Sequence, residues 1–194
     1  RANLASIGGE IIEEEISLVE TFKYDTIPGI QAWFDAEQIV GQNGAYLSGW
    51  QDQSARPNQD RSFNNVRGRP RILSFALNGN PAVSFDGDDD QMWTGYNFNS
   101  ILHQTGYTIL TLARFTGGSN KQVITSRNND FYFGFHQDGI GLWRAGGNIY
   151  AFGDPTDNDW HLHVGTISDN SGDPKASLWQ DGVLRVFESR ESDN

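Results

Sequence analysis

Phe131-Tyr132-Phe133-Gly134-Phe135-His136 alternates strictly: Phe131, Phe133 and Phe135 share one side of an extended chain, Tyr132, Gly134 and His136 the other. A row of phenylalanines on one side is the mark of a strand laid over an apolar core. Working outward, Tyr107 to Phe115 (YTILTLARF) is the longest β-type run, closed by Thr116-Gly117-Gly118-Ser119-Asn120. Gln122 to Ser126, Ile140 to Arg144, Asn148 to Phe152, His161 to Ser168 and Ala176 to Gln180 read the same way. Asp181-Gly182 then signals a hairpin turn before Val183 to Glu188 resumes the strand. On the N-terminal side, Ile30 to Phe34 and Ala82-Val83-Ser84-Phe85 read as strands, the second ended by Asp86-Gly87. About ten short strands with turn punctuation and almost no helical periodicity predict an all-β sandwich or barrel.

Composition bounds the rest. The 194 residues fit one domain with a short extra segment, and 37% hydrophobic residues, with six Trp and twelve Phe, suffice for a core. The absence of Cys excludes disulfide scaffolds, thiolate zinc sites and cysteine nucleophiles. A formal net charge of −11 repels phosphate backbones, so nucleic acid is excluded as a partner, and no apolar run is long enough for membrane insertion by a helix. Residues 1–26 read as a linker or the tail of a preceding module, and residues 27–194 as the sandwich. The polar stretch from Gln42 to Leu73 reads as one long loop.

Several motifs together resemble the laminin G-like branch of the concanavalin A-like lectin/glucanase superfamily, in its bacterial form. They are Gly29-Ile30-Gln31-Ala32-Trp33-Phe34-Asp35-Ala36, Trp50-Gln51-Asp52-Gln53-Ser54, and Asn80-Pro81-Ala82-Val83-Ser84-Phe85-Asp86-Gly87-Asp88-Asp89. Trp160-His161-Leu162-His163-Val164 and Ser177-Leu178-Trp179-Gln180-Asp181-Gly182-Val183 follow in the family's order. The resemblance implies a two-sheet antiparallel jelly-roll β-sandwich with ligand sites at the loop rim or concave face. Such domains usually continue past the Asp-Gly hairpin. The expectation here is therefore truncation at the C-terminal end, or replacement of the missing strand by Ile16 to Phe22.

The candidate chemistry follows from residue types. Glycosidases of this superfamily carry carboxylates at alternate positions of one strand, and no Glu-x-Asp-x-x-Glu pattern is present, so a non-catalytic module is expected. Asp86, Asp88, Asp89 and Asp90 crowd one turn, where hard oxygens suit calcium, with Asp52 brought nearby if the family topology holds. The alternative is an ordinary Asp-Gly turn with solvated charges. His161 and His163 share one side of a strand at a spacing compatible with transition metals, but packing beside Trp160 is the plainer reading.

For a sugar, flat aromatic faces and nearby polar groups are needed. Trp143 and Arg144 are the first candidates, with Tyr150, Tyr132 and His136 as neighbours if consecutive strands pair, and Arg127 and Asn128 on the rim. Trp33, Trp50, Trp160 and Trp179 read as structural. The expected function is a carbohydrate-binding or adhesion module of a larger extracellular or cell-surface protein, meeting a glycan or glycosylated surface. Two alternatives stay open. One is a structural module of a surface filament, sheath or virion, joined to other chains through a free sheet edge. The other is an accessory domain of a glycan-degrading enzyme.

Overall fold

The computed structural model describes residues 27–54, 59–98, 106–117, 121–127, 131–136, 139–144, 157–167 and 175–189; for 121–127, 131, 132, 136, 139–144, 175 and 186–189 it describes backbone pairing alone. The segments 1–26 and 148–152, on which a linker and a strand were expected, lie outside the described residues. Among the described residues eleven strands follow in order: β1 Asn65–Arg67, β2 Arg71–Leu77, β3 Asn80–Ser84, β4 Gln91–Trp93, β5 Tyr107–Ala113, β6 Lys121–Arg127, β7 Phe131–His136, β8 Gly139–Arg144, β9 His161–Ile167, β10 Lys175–Gln180 and β11 Val183–Ser189. Every pairing is antiparallel. The chain is all-β, with a single 3-10 turn, Ala36–Gln38, among the described residues.

The strands form a four-stranded sheet β11-β10-β9-β5, a three-stranded sheet β6-β7-β8, and two ribbons, β1-β4 and β2-β3. Alternation decides what is buried. In β9, His163, Gly165 and Ile167 point inward while Leu162, Val164 and Thr166 do not. Phe133 and Phe135 of β7 join Ile167, Ala176 and Leu178 of β9 and β10 in one buried cluster, with Tyr107, Ile109, Ala113 and Phe115 packed against it. The three- and four-stranded sheets therefore share a core. Each fully buried Phe or Leu there contributes about 1.5–3 kcal/mol. The rings of Phe115 and Phe135 meet at 5.3 Å between centroids.

Two hairpins close with adjacent residues of positive φ: Asn78 (50°) and Gly79 (84°) join β2 to β3, and Asp181 (51°) and Gly182 (79°) join β10 to β11. Positive φ at both positions matches the right-handed twist of the flanking strands. The Asp181-Gly182 turn was read from the sequence. The Asn78-Gly79 turn and the run Ile72 to Leu77 before it were not, and the supposed loop from Gln42 to Leu73 contains β1 and the start of β2.

Ile30 to Phe34 is not a strand. It is extended chain tied to a loop instead of a ladder: the Trp33 amide donates to Asp52 Oδ1 at 2.9 Å, and the Gln53 amide to the Trp33 carbonyl at 2.7 Å. The same carboxylate accepts the Ser54 amide at 3.0 Å and, through Oδ2, its hydroxyl at 2.7 Å. The Trp-x-Asp-x-Ser spacing is thus a loop clasp. Trp50 donates from Nε1 to the Asp35 carbonyl at 3.1 Å and packs edge-on against Phe34.

Nearby, Arg61 is 1% exposed and held by neutral groups: the Gln31 carbonyl, Gln31 Oε1 at 3.1 Å, Gln59 Oε1 and Tyr96 Oη at 3.2 Å. Its guanidinium lies 4.4 Å from the Tyr96 ring centroid, so a cation–π contact offsets part of its desolvation.

Candidate functional site

Immediately after β3 the chain turns through Asp86 to Asp90. Asp86 Oδ1 accepts the amides of Asp88 at 2.9 Å and of Asp89 and Asp90 at 3.3 Å, and the Asp86 amide donates to Asp90 Oδ2 at 3.0 Å. Those amides, the Asp88 one first, hold the Asp86 carboxyl below the usual carboxylate range. Asp90 Oδ1 accepts the Arg69 amide. Gly68 permits that approach: its φ is +72°, and an added Cβ would stand 2.7 Å from the Asp90 Cα and 2.9 Å from the Asp89 carbonyl oxygen.

Carboxylate oxygens of Asp86, Asp89 and Asp90 come within 4.8 Å of one another. Asp88 is not in the group, and Asp52, spent on its clasp, does not line this site. Two of the three carboxylates are already engaged by amides, and the Asp89 carboxylate accepts no hydrogen bond among the described residues. Calcium takes six to eight oxygens, so this set fits a weak site completed by water.

The aspartates line an open cleft of about 450 Å³ together with Gly68, Arg69, Arg71 and Ser84. Arg69 and Arg71 bracket Pro70, which is fully buried, and the next residue, Ile72, is 3% exposed. Alternation therefore turns both arginines outward on the same side. Both guanidiniums lie 3.4 Å from Tyr46 Oη and over its ring, at 5.3 Å for Arg69 and 4.7 Å for Arg71. Tyr46 pairs with Arg71 across an isolated bridge, and Arg71 also donates to the Gly44 carbonyl at 3.2 Å. The Arg69 hydrogen bond and the two positive charges lower the phenol pKa.

A second polar cluster sits at one end of the four-stranded sheet. His161 Nε2 lies 2.8 Å from Asp157 Oδ1 and its Nδ1 2.5 Å from Asp181 Oδ2. A neutral imidazole donates once, so full use of both contacts requires the imidazolium. The Asp181 hydrogen bond raises the His161 pKa, burial opposes it, and Asp157 adds to the rise, while His161 lowers both carboxyls. His163 is the opposite case. It is 2% exposed, neither ring nitrogen makes a well-formed hydrogen bond among the described residues, and burial pushes its pKa down to about 4, with nearby His161 adding to the effect and a marginal contact to the Ala113 backbone opposing it.

The expected sugar platform falls where backbone alone is described. The register sets Tyr132 opposite Trp143, as consecutive pairing required, and Phe131 opposite both Arg127 and Arg144. Trp143 and Arg144 therefore belong to different rows. His136 stands opposite Gly139 and Lys121. Asn128 and Tyr150 lie outside the described residues. Trp179, expected to be structural, is 36% exposed on the outer side of its sheet, while Trp160 is half-buried under Arg114, whose guanidinium is 5.1 Å from its ring. The cleft residues Tyr46, Arg69 and Arg71 were missed because they lie in the stretch read as loop. Their signal was the alternation Arg69-Pro70-Arg71-Ile72. No helix among the described residues is long and apolar enough to cross a membrane. No protein-family model, no curated protein and no solved structure matches this chain.

Proposed function

We propose that this chain is a non-catalytic carbohydrate-binding or adhesion module on a concanavalin A-like jelly-roll sandwich, working at the cell surface or outside the cell. The observation that carries this reading is the open cleft of about 450 Å³ beside the Asp86–Asp90 turn. Two of its three carboxylates, Asp86 and Asp90, are fixed by backbone amides and its arginines by Tyr46 and Gly44, so hydrogen-bonding groups for sugar hydroxyls are held before any ligand arrives. Calcium at Asp86, Asp89 and Asp90 would add a hard cation that sugar hydroxyls can ligate. The test is a glycan array with the full chain, followed by calorimetry on the hits. Micromolar binding weakened by Asp89→Ala at unchanged Tm supports the reading, and a blank array refutes it.

A second reading, an assembly module, is favoured by a different observation. The outer face of the four-stranded sheet exposes Leu110, Leu112, Leu162, Trp179 and Leu184, each 36% or more. Leu112 stands opposite Leu162, and Leu110 continues through Val164 and Trp179 to Leu184, so the patch is contiguous. Sedimentation of Leu110→Lys and of the unaltered chain over a range of concentrations separates the readings. Association abolished by the lysine supports assembly, and a monomer at every concentration rejects it.

A further inference from the structure

The chain carries a net charge of −11, yet its cleft holds two guanidiniums that form no ion pair among the described residues. Because Arg69 Nη1 and Arg71 Nη2 both lie 3.4 Å from Tyr46 Oη, these two nitrogens stand no more than about 7 Å apart. Their partners are neutral: the phenol, its ring and the Gly44 carbonyl. Asp86, Asp89 and Asp90 line the same cleft and keep their charge, two of them hydrogen-bonded to backbone amides, but among the described residues none forms an ion pair with either guanidinium, so the forks stay open to an external carboxylate. Like charges held this close repel, and an anion between them relieves the repulsion. The site is also braced. Buried Pro70 and Ile72 fix the strand, and the backbone bridge holds Tyr46 beside Arg71, where its phenol also meets Arg69.

We propose that Arg69 and Arg71 form a carboxylate-binding subsite, and that the ligand of this cleft is an acidic glycan whose uronate carboxyl seats between them. This rests on the carbohydrate-binding reading and names the sugar class. Guanidinium forks match the planar carboxylate in two parallel hydrogen bonds. A cleft of this volume accommodates one or two sugar units, leaving Ser84 and Asp89 for hydroxyls of the same residue. The lowered phenol pKa of Tyr46 reports the positive field that the carboxylate would meet.

The test is calorimetry of the full chain with an oligogalacturonate, with the same oligosaccharide after reduction of its carboxyls, and with acetate. The expected result is binding of the acidic oligosaccharide, at least tenfold weaker for the reduced one, with Arg69→Gln and Arg71→Gln each losing tenfold or more. Arg71→Lys, which keeps the charge and loses the fork, serves as a second variant if Arg71→Gln fails to fold, and also loses affinity. Equal binding of acidic and reduced oligosaccharides overturns the subsite and leaves the carbohydrate reading standing. Binding of neither overturns both. Acidic binding untouched by the arginine variants, or acetate bound as tightly as the oligosaccharide (an adventitious ion only), overturns the subsite.

Discussion

His161 and Asp181, on a strand and on a hairpin turn that do not follow one another in the chain, close a small ring of hydrogen bonds. Asp181 Oδ2 takes the imidazole at 2.5 Å, its Oδ1 accepts the Leu162 amide at 2.9 Å, and its own amide donates to the Leu162 carbonyl at 2.9 Å. The turn between β10 and β11 is thereby fastened to the start of β9, and the fastening carries charge.

The two histidines should titrate in opposite senses. His161 has a raised pKa, so its contribution is present below 6.5 and is lost as pH rises through its folded value. His163 is depressed to about 4, so the unfolded chain binds the extra proton between 6.5 and 4 and stability falls as pH drops through that window. Stability should peak near pH 6.5 as far as these groups decide it, with an acid-side loss on the order of 3 kcal/mol from His163. Proton NMR of the imidazole resonances and urea unfolding at several pH values check both limbs.

His163→Leu should flatten the acid limb. It also removes two buried ring nitrogens that lack a well-formed hydrogen bond, so stability at pH 7 should hold or rise by about 1 kcal/mol. Urea midpoints at pH 4.5 and pH 7 give the comparison, and an unchanged acid slope contradicts the assignment.

Asp181→Asn should lower the His161 pKa more than Asp157→Asn does, because Asp181 is the larger influence. Asn tolerates the positive φ of 51° at this position, so the change tests charge with the turn preserved. The readout is the His161 titration midpoint in each variant.

Gly68→Ala should destabilise more than Gly79→Ala, although both have positive φ. At Gly79 no atom lies within 4 Å of an added Cβ, whereas at Gly68 it meets the Asp89 and Asp90 backbone. Each change costs about 1 kcal/mol from φ alone, and Gly68→Ala should add a further loss through the displaced Asp86–Asp90 turn. Thermal melts of the two variants side by side decide it.

Calcium should raise the Tm only at about millimolar concentration, as expected of a site with few free carboxylate oxygens, and Asp89→Asn should remove the effect. A melt series in calcium after chelator treatment measures it.

Phe133→Ala and Leu178→Ala, both at 0% exposure in the shared core, should cost about 3–5 and 2–5 kcal/mol respectively. Denaturant midpoints at constant slope check that the loss is one of packing.

The strands from Tyr107 onward were legible because alternation is a local property: Phe133 and Phe135 announce their buried side in six residues. Ile30 to Phe34 deceived because its apolar pattern is real, while its hydrogen-bonding partner, the Asp52 carboxylate, is nineteen residues away. The same blindness hid the cleft. Arg69 and Arg71 look like loop charges until Tyr46 is brought across them by a single bridge. The aspartate turn was visible in sequence, but which of its carboxylates are spent on amides is a matter of backbone path.

The ladder between β10 and β11 slips at Leu178/Trp179: Leu178 faces Val186, but the next residue, Trp179, faces Leu184. One residue more on the outer strand coils that margin beyond the ordinary twist. A flat neighbour laid alongside would find its donors and acceptors out of step, so growth by adding strands at this border is discouraged. The opposite margin, β5, pairs with β9 in unbroken register and has no such guard among the described residues, so the two borders of this sheet are unequal as places for another strand to dock.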